Sequence, residues 1–432
     1  MRQARPNFQK AAPASAARDT FVITRMGGQG DGVALRGPGQ PAVHVPFTLP
    51  GERVLAETSG DPGRLIEVLQ ASPERTGPRC PHFGACGGCA LQHWAQGPYL
   101  EWKAGQIAEA LAREAITTQI LPPVASPPGS RRRLALHARQ GRPGEARLGY
   151  KERSSWRLVE IEVCPIADPR LEAALPGLRR LAAAFLEHPR SAPTLHVTST
   201  ETGLDVDVTG VERRTGGLSA DARLQAAEAA GAMDAARVSL AGELLYQARR
   251  PIVRFGHASV ALPPGAFLQA TPQAEAAMAG FASQALAGAS RIADLFSGVG
   301  TFGLRLAETA QVHAVDASAD AIAALLGARA SAPGLKAVTA EARDLFRRPV
   351  LAHELKSFEA VLFDPPRAGA AAQASEIGKS RLTHAVGVSC NPSSFARDAR
   401  ILTDAGFRLL EVLPVDQFLW SPHIELVGVF AR

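Results

Sequence analysis

The stretch RIADLFSGVGTFG, from Arg291 to Gly303, decides the fold of this 432-residue chain. Its first six residues are mostly apolar and have the length of a buried strand, and a glycine-rich turn follows them. Gly298, Gly300 and Gly303 have the G-x-G-x-x-G spacing, which is typical of a strand-to-helix turn that holds a dinucleotide. The same spacing also fits a tight turn without a ligand, so the residues on either side must decide.

Acidic residues end the strands that follow this turn. Val312 to Asp316 is predicted to be a second strand, and its terminal acid stands where a cofactor ribose is usually held. Asp344, after a third strand, is expected to receive an adenine amine. Asp364 ends a fourth strand in the sequence Asp-Pro-Pro, which is typical of nucleic-acid methyltransferases rather than dehydrogenases. These features favour S-adenosylmethionine and leave a nicotinamide dehydrogenase as a remote alternative.

The carboxyl-terminal part of the chain has the pattern of a parallel sheet. From Ala266 onward, predicted strands alternate with alanine-rich helices, which is typical of βαβ units. Thr271 and Pro272 predict a helix start, because threonine caps helices and proline is favoured in the first turn. Ala385 to Pro392 predicts a buried strand that delivers Cys390 to the sheet edge where catalytic groups collect. The alternative is a buried thiol that packs as a small apolar side chain.

The amino-terminal part has a different pattern. Short β-rich runs separated by glycine turns predict a small barrel between Asp19 and Thr76, of a kind that often binds nucleic acids. A mixed α and β domain is expected after it. The run Arg131 to Arg133 could touch phosphates, but it is expected to be a solvated face.

Charge and hydropathy suggest a basic, globular protein. Lys and Arg number 47 against 41 Asp and Glu, so the net charge is +6, which suits a polyanionic partner without requiring one. Met1 to Arg18 is predicted to be a disordered basic tail. It has no apolar stretch of signal-peptide length. No transmembrane stretch is found, and we expect a cytoplasmic protein.

Four of the five cysteines have the spacing of metal ligands. Cys80, Cys86 and Cys89 are clustered and Cys164 is distant, which leaves Cys390 over. An odd number of cysteines with this spacing does not fit the disulfide framework of a secreted protein. Three clustered thiols plus a remote one favour a [4Fe–4S] cluster. Zinc, with His82 or His93 as a substitute ligand, and no metal at all remain alternatives.

Several motifs together resemble the uracil-C5 RNA methyltransferase family, which makes 5-methyluridine in transfer and ribosomal RNA. The matching stretches cover nearly the whole chain and include Cys80–Cys89 with Cys164, Phe267–Gln269, Asp294–Gly300, Asp364–Gly369, Ser389–Pro392 and Asp416–Glu425. The chain departs from the family's usual residues at Thr271, Asp316 and Leu419, where asparagine, often glutamate, and proline respectively are usual.

The resemblance implies a fold and a site. The fold class is α/β, with a Rossmann-like methyltransferase domain (residues 261–432), an RNA-binding barrel of the TRAM or OB type (residues 19–76) and a central α+β iron–sulfur domain (residues 77–260) after the tail (residues 1–18). S-adenosylmethionine would contact Gln269, Phe296, Gly298, Thr301, Asp316, Asp344 and Asp364. Cys80, Cys86, Cys89 and Cys164 would hold the [4Fe–4S] cluster. Cys390 would be the nucleophile and Glu425 the base.

The chemistry of uracil needs these two residue types. C5 of uracil is a poor nucleophile, and a thiolate that adds to C6 activates it; cysteine is the side chain best suited to this step. The adduct then carries a surplus proton at C5, which a positioned carboxylate must remove. Glu425 stands in an otherwise apolar strand where burial would raise its pKa. His423 is a second candidate base.

The predicted reaction is therefore methyl transfer to a uridine of RNA, by a monomer, with ribosomal RNA favoured over transfer RNA. Two alternatives remain open: a methyltransferase for another nucleic-acid base, and an iron–sulfur RNA-binding protein with an inactive methylase domain.

Overall fold

The computed structural model describes residues 17–59, 61–142, 144–212 and 217–432, which form two compact units. The first contains the chain up to Pro78, Ala90–Tyr99 and Trp420–Pro422. The second contains Arg79–Cys89, Leu100–Leu419 and His423–Arg432. Most of the predicted basic tail lies outside the described residues, and the first strand begins at Ala17. The predicted domain boundaries at residues 76 and 260 stay a prediction.

The first unit is built on a five-stranded antiparallel sheet in the order β3-β2-β1-β4-β5. Its strands are β1 (Ala17–Met26), β2 (Asp31–Ala34), β3 (Val43–Pro46), β4 (Arg53–Thr58) and β5 (Arg64–Gln70). β5 also contacts β3, which curves the sheet toward a barrel around a small core that includes Ile23, Val45 and Val54. The predicted barrel fold is confirmed.

The second unit contains a seven-stranded mixed sheet in the order β10-β9-β8-β11-β12-β13-β14. Its strands are β8 (Arg133–Gln140), β9 (Ala146–Lys151), β10 (Leu158–Glu160), β11 (Thr194–Thr200), β12 (Gly203–Thr209), β13 (Arg237–Leu240) and β14 (Glu243–Gln247). Helices α2 (Pro169–Ala173), α3 (Leu175–Ala183) and α4 (Ala220–Ala232) accompany it, and α3 and α4 contribute apolar side chains to the core on one face of the sheet. A separate hairpin joins β15 (Ile252–Phe255) to β16 (Ala258–Ala261).

The second unit also contains the larger sheet, in the order β19-β18-β17-β20-β21-β23-β22-β6, with β7 paired to β22. Its strands are β6 (Gln119–Ile120), β7 (Val124–Ala125), β17 (Arg291–Leu295), β18 (Gln311–Asp316), β19 (Val338–Ala342), β20 (Ala360–Phe363), β21 (His384–Ser389), β22 (Arg408–Asp416) and β23 (Glu425–Ala431). The helices are α1 (Gln96–Arg113, in this unit from Leu100 onward), α5 (Pro272–Ala285), α6 (Gly303–Leu306), α7 (Ala319–Ala330), α8 (Ala371–Lys379) and α9 (Pro392–Asp404), with a short 3₁₀ helix at Leu355–Ser357.

Helices cover both faces of this sheet, so successive residues of a strand enter opposite cores. Ile292 of β17 packs with α5 and α7 in one core, whereas Ala293 packs with α8 and α9 in the other. The strands from β19 to β21 are parallel, and β23 pairs antiparallel with β21. This is the predicted Rossmann-like architecture. Among the described residues, none of the helices has the length and apolarity that a bilayer crossing requires.

Candidate functional site

The glycine turn between β17 and α6 lies at the carboxyl ends of the parallel strands. Gly298 and Gly300 have φ angles of 54° and 95°. A Cβ atom on Gly300 would approach the Leu304 side chain to 2.9 Å, and a Cβ atom on Gly303 would lie 2.5 Å from Asp294 Oδ2. The turn therefore needs glycine at both positions, because a side chain at either would force it away from the sheet.

Asp316, at the end of β18, is hydrogen-bonded to this turn. Its Oδ2 atom accepts a hydrogen bond from Gly298 N at 2.9 Å, and its Oδ1 atom accepts one from Ser318 N at 2.8 Å. Thr301 is buried in the same turn. The structure thus brings three predicted cofactor residues, Gly298, Thr301 and Asp316, to one edge of the sheet.

Two aromatic rings lie beside the same edge. The ring centroids of Phe296 and Phe346 are 5.6 Å apart, and Phe346 is 54% exposed. Asp344 Oδ1 accepts hydrogen bonds from the amides of Phe346 and Arg347, at 3.0 and 3.3 Å. The sequence analysis did not select Phe346. Its position two residues after Asp344, the expected adenine contact, could have indicated it.

Asp364 follows β20 and is linked to Gln269. Asp364 Oδ2 accepts a hydrogen bond from Gln269 Nε2 at 3.1 Å, and Asp364 N donates one to Leu295 O at 3.1 Å. Burial raises the pKa of the Asp364 carboxyl to about 7. Asp364 is therefore partly protonated near neutral pH until a positive charge approaches it.

Strand register brings Cys390 and Glu425 to the same end of the sheet. Ser389, the last residue of β21, pairs with Leu426, and Glu425 is the first residue of β23. One step along the two strands, Cys390 therefore comes opposite Glu425. Cys390 is half-buried and Glu425 is only 3% exposed.

The electrostatics of this pair follow from burial. Burial raises the pKa of the Cys390 thiol to about 11; the negative charges of Glu425 and Asp364 add to the rise, and the positive charge of Arg367 opposes it. Burial and the charge of Asp364 raise the pKa of Glu425 to about 8. The expected burial of Glu425 and the expected rise of its pKa are both confirmed.

Gln417 joins the two groups of predicted site residues. Its Nε2 atom donates to Glu425 Oε2 at 2.6 Å and to Gln269 Oε1 at 2.7 Å, and its Oε1 atom accepts from Ala270 N at 2.7 Å. With the bond from Gln269 to Asp364, a continuous hydrogen-bonded chain connects Glu425 to Asp364. The sequence analysis did not select Gln417, which lies within the Asp416–Glu425 stretch.

Two buried cations hold residues that belong to this hydrogen-bonded series or lie next to it. Arg132 donates to Gln269 O at 3.0 Å and forms a buried ion pair with Glu275. The expectation of a solvated face for Arg131 to Arg133 is therefore wrong at Arg132, which is 6% exposed. Lys103 bonds Asp416 Oδ1 at 2.5 Å and Phe418 O at 3.1 Å, so it holds the residues on both sides of Gln417.

His423, the second candidate base, packs edge-on against Phe418, with ring centroids 6.2 Å apart. Burial lowers its pKa, and the positive charges of Arg367 and Lys103 lower it further. The imidazole is therefore neutral at physiological pH.

The loop that carries Cys80, Cys86 and Cys89 contacts the tip of the hairpin formed by β9 and β10. Gly87 N donates to Lys151 O at 3.0 Å, and a Cβ atom on Gly87 would lie 2.7 Å from that oxygen. Gly88 N donates to Cys86 Sγ at 3.4 Å. Burial raises the pKa of Cys164 to about 11, and the charge of Cys86 contributes to the rise.

The described residues do not form a closed shell of ligands at the expected metal site. Within residues 17–59, 61–142, 144–212 and 217–432, no group of three or more His, Cys, Asp or Glu side chains is placed to hold a metal ion. His82, considered as a substitute ligand, accepts a hydrogen bond from Glu162 N through Nε2 at 3.2 Å. The chemistry of the four thiols is nevertheless that of an iron–sulfur ligand set.

Comparisons with known proteins agree with this architecture. Residues 260–432 match the model of the tRNA (uracil-5-)-methyltransferase family. An RNA methyltransferase of Caulobacter vibrioides is 62% identical over 95% of this chain and 99% of its own length. The 23S rRNA (uracil(1939)-C(5))-methyltransferase of Chromohalobacter salexigens is 32% identical over 96% of this chain and 90% of its own length.

A solved structure supports the fold independently. The tRNA (uracil-54, C5)-methyltransferase of Pyrococcus abyssi, crystallised with S-adenosyl-L-homocysteine, superposes with a TM-score of 0.70. It is 22% identical and covers 95% of this chain and 99% of its own. This likeness shows the fold. The full-length relatives, together with the family model, show that the chain belongs to the uracil-C5 RNA methyltransferase family and is an enzyme of the S-adenosylmethionine-dependent class.

Proposed function

We propose that the chain transfers a methyl group from S-adenosylmethionine to C5 of one particular uridine in RNA. The observation that carries the proposal is the β21–β23 register, which puts a thiol and a buried carboxyl with a raised pKa side by side. Uracil-C5 methylation needs this pair of groups, whereas methylation of an exocyclic amine needs no thiol.

Cys390 acts as the nucleophile. Its Sγ atom bonds to C6 of uracil, and the electron pair of the C5–C6 double bond becomes available at C5. The thiol, with a pKa near 11, first gives its proton to water, and the positive charge of Arg367 favours the resulting thiolate. When bound, S-adenosylmethionine supplies the methyl group and a positively charged sulfonium.

Glu425 completes the reaction. After methylation, C5 carries both a hydrogen atom and the new methyl group, so a base must take the proton. The Glu425 carboxylate accepts it, the C5–H electron pair re-forms the double bond to C6, and the Cys390 thiolate leaves. With its pKa raised to about 8, the carboxylate binds this proton more strongly than an exposed glutamate would.

The cofactor would lie along the edge formed by the glycine turn and the ends of β18, β19 and β20. Asp316 and Gly298 would hold the ribose side, Phe296 and Asp344 the adenine, and Gln269, Thr301 and Asp364 the amino-acid side, in line with the predicted site. A negative carboxylate at Asp364 would also favour the positive sulfonium of the substrate over its neutral product.

We also propose that Cys80, Cys86, Cys89 and Cys164 hold a [4Fe–4S] cluster. Four thiols from two loops form a soft ligand set, and the glycines at 87 and 88 allow the close wrap of the loop. Methyl transfer moves no net electrons, so the role of the cluster would be structural: it would tie the Cys80–Cys89 loop to the segment of Cys164.

Ribosomal RNA is the proposed substrate, favoured over transfer RNA. The support is the 32% identity to an enzyme named for 23S rRNA along almost the whole length of both chains. We propose further that the five-stranded barrel contributes to RNA binding, and that the enzyme acts as a cytoplasmic monomer.

The test is methylation of total RNA from cells that lack the gene. The full-length protein and labelled S-adenosylmethionine should produce 5-methyluridine at one mapped position of ribosomal RNA. Methylcytosine or methyladenine as the product would overturn the proposal, and so would full activity of Cys390→Ala. A mapped position in transfer RNA would overturn only the choice of substrate.

A further inference from the structure

One face of the seven-stranded sheet lies opposite its apolar core and carries mainly basic residues. Leu134, Leu136 and Leu148 enter the core, so the alternate residues of β8 and β9 point to the other side. On that side the neighbouring strands present four lysine or arginine side chains and two histidines, which we call the basic face: Arg133, His137, Arg139, Arg147, Lys151 and His196.

These cations lie close enough to influence one another. Burial lowers the pKa of His137, and the positive charges of Lys151, Arg139 and His196 lower it further. Of the acids on this side of the sheet, Glu160 pairs with Arg147 at 3.4 Å. Asp205 is buried in a bidentate pair with Arg237, and Asp207 accepts hydrogen bonds from Ser239 Oγ and Gly242 N.

The basic face ends at an exposed tryptophan. Trp156, in the turn between β9 and β10, is 79% exposed, although tryptophan is usually well buried. Lys151 Nζ lies 3.9 Å from the centroid of its ring. The turn is fixed in place by the hydrogen bond from Gly87 N to Lys151 O. An aromatic ring held this way beside a cation offers a stacking platform to a nucleotide base.

The other end of the basic face leads to the catalytic residues. A cavity of about 260 Å³ is lined by Arg133, Ala135 and His196 on the sheet side and by Gln417 on the catalytic side. His196 pairs with Ala135, and the register of β8 and β9, extended by two residues, places Lys151 opposite Ala135 on the other flank. Residues that share one side of the sheet thus connect the cavity beside Gln417 with the turn of Trp156.

We propose that the basic face binds unpaired nucleotides that flank the target uridine, with one base stacked on Trp156. The inference rests on the proposed function for the identity of the RNA, and it commits to single-stranded RNA because stacking needs an unpaired base. Phosphates would lie along the cations, and the chain of nucleotides would end at Gln417, where the target base enters.

Binding of a fluorescein-labelled oligouridine of about 12 nucleotides to the full-length protein tests this, with a duplex of equal length as the comparison. Trp156→Ala and Lys151→Glu should each weaken binding about 10-fold, and Trp156→Phe, which keeps an aromatic ring, about 2-fold. Leu224→Ala and Arg223→Glu, at exposed positions on α4, are the matched controls and should bind like the unchanged protein. For S-adenosylmethionine, affinity should be unchanged in all five variants.

Ultraviolet crosslinking of the unchanged protein to the same oligouridine is a second test, which does not depend on the folding of any variant. The expected crosslinked peptide contains Trp156. Equal binding by Trp156→Ala and the unchanged protein, or crosslinks that avoid residues 151–157, would overturn the proposal. If oligouridine binding depends on Trp156 but the enzyme makes no 5-methyluridine, the basic face stands and the proposed function fails.

Discussion

Gln417 Nε2 donates a hydrogen bond to Glu425 Oε2 at 2.6 Å, and the same nitrogen donates to Gln269 Oε1 at 2.7 Å. A single amide group therefore links the proposed base to a residue of the proposed cofactor site. Gln269 in turn donates a hydrogen bond to Asp364. A change at Glu425 or at Asp364 is therefore transmitted to the other residue through Gln417.

Replacing Gln417 with leucine should impair both ends of this chain. Gln417 lowers the pKa of Glu425, so its loss should raise that pKa and shift the acidic limb of the kcat–pH profile to higher pH. We expect kcat to fall by roughly 10- to 100-fold and KM for S-adenosylmethionine to rise. Gln417→Asn should recover part of the loss, and Gln284→Leu, on the exposed side of α5, should have no effect. An unshifted pH profile would contradict the role of Gln417.

Glu425→Gln should stop the reaction after the covalent adduct has formed. Cys390 is intact in this variant, but the C5 proton has no acceptor, so the thiolate is not released. A protein–RNA complex should survive a denaturing gel with unmodified ribosomal RNA and S-adenosylmethionine. Cys390→Ala should give no such complex, even with a 5-fluorouridine substrate. Repeated turnover by Glu425→Gln would assign the base to another residue.

The stability of the protein should depend on the protonation of Glu425. Its folded-state pKa of about 8 is above the ordinary value of 4.5, so between these pH values the folded state binds more protons than the unfolded state. The contribution of this group to stability therefore falls as pH rises from 4.5 to 8. Glu425→Gln should raise the free energy of unfolding at pH 9 by at most about 5 kcal/mol, because each pH unit between 4.5 and 8 contributes about 1.4 kcal/mol. The gain should vanish below pH 4.5; a gain that persists there would have another cause.

The buried pair of Lys103 and Asp416 should respond asymmetrically to substitution. Both side chains are completely buried, so Lys103→Met removes the buried cation that pairs with the Asp416 carboxylate and should cost about 3–5 kcal/mol in urea unfolding. The double variant Lys103→Met, Asp416→Leu should recover most of this stability. It should remain poorly active, because Phe418 O also loses its donor and Gln417 is less firmly held. Equal stability of the single and double variants would argue against a buried ion pair.

The cysteines should separate into two functional classes. Cys164→Ser should reduce iron content and melting temperature in anaerobically prepared protein, whereas Cys390→Ser should keep the iron and abolish methylation. Iron analysis and the visible absorption spectrum report the first effect. Active protein in which the cluster is fully absent would remove the structural role proposed for it.

Local patterns predicted the elements that carry the site. The run from Arg291 to Gly303 forms β17, its turn and the start of α6, and Thr271 caps α5 by accepting a hydrogen bond from Ala274 N. Cys390 follows β21 as expected. These predictions succeed because strand length, glycine spacing and capping depend on residues near one another in the chain.

Features that depend on distant partners were not predictable. Arg132 is buried because Glu275 and Gln269 lie next to it in space, more than a hundred residues away in the chain. The run from Leu195 to Val208 alternates with a period of two throughout, yet it forms two antiparallel strands around a turn at Thr200–Gly203, because this alternation is the same before and after a reversal. Gln417 gave no signal because an isolated amide has no pattern.

The pairing of β21 with β23 limits how such an enzyme can diverge. Because side chains alternate along a strand, inserting or deleting one residue in β23 would turn Glu425 to the opposite side of the sheet, away from Cys390. The loop that precedes β23 is restricted in another way, by the contacts of Gln417 with Glu425 and of Phe418 O with Lys103. Evolution must therefore keep these contacts, while the spacing of the two reacting side chains is inherited as a fixed length of backbone.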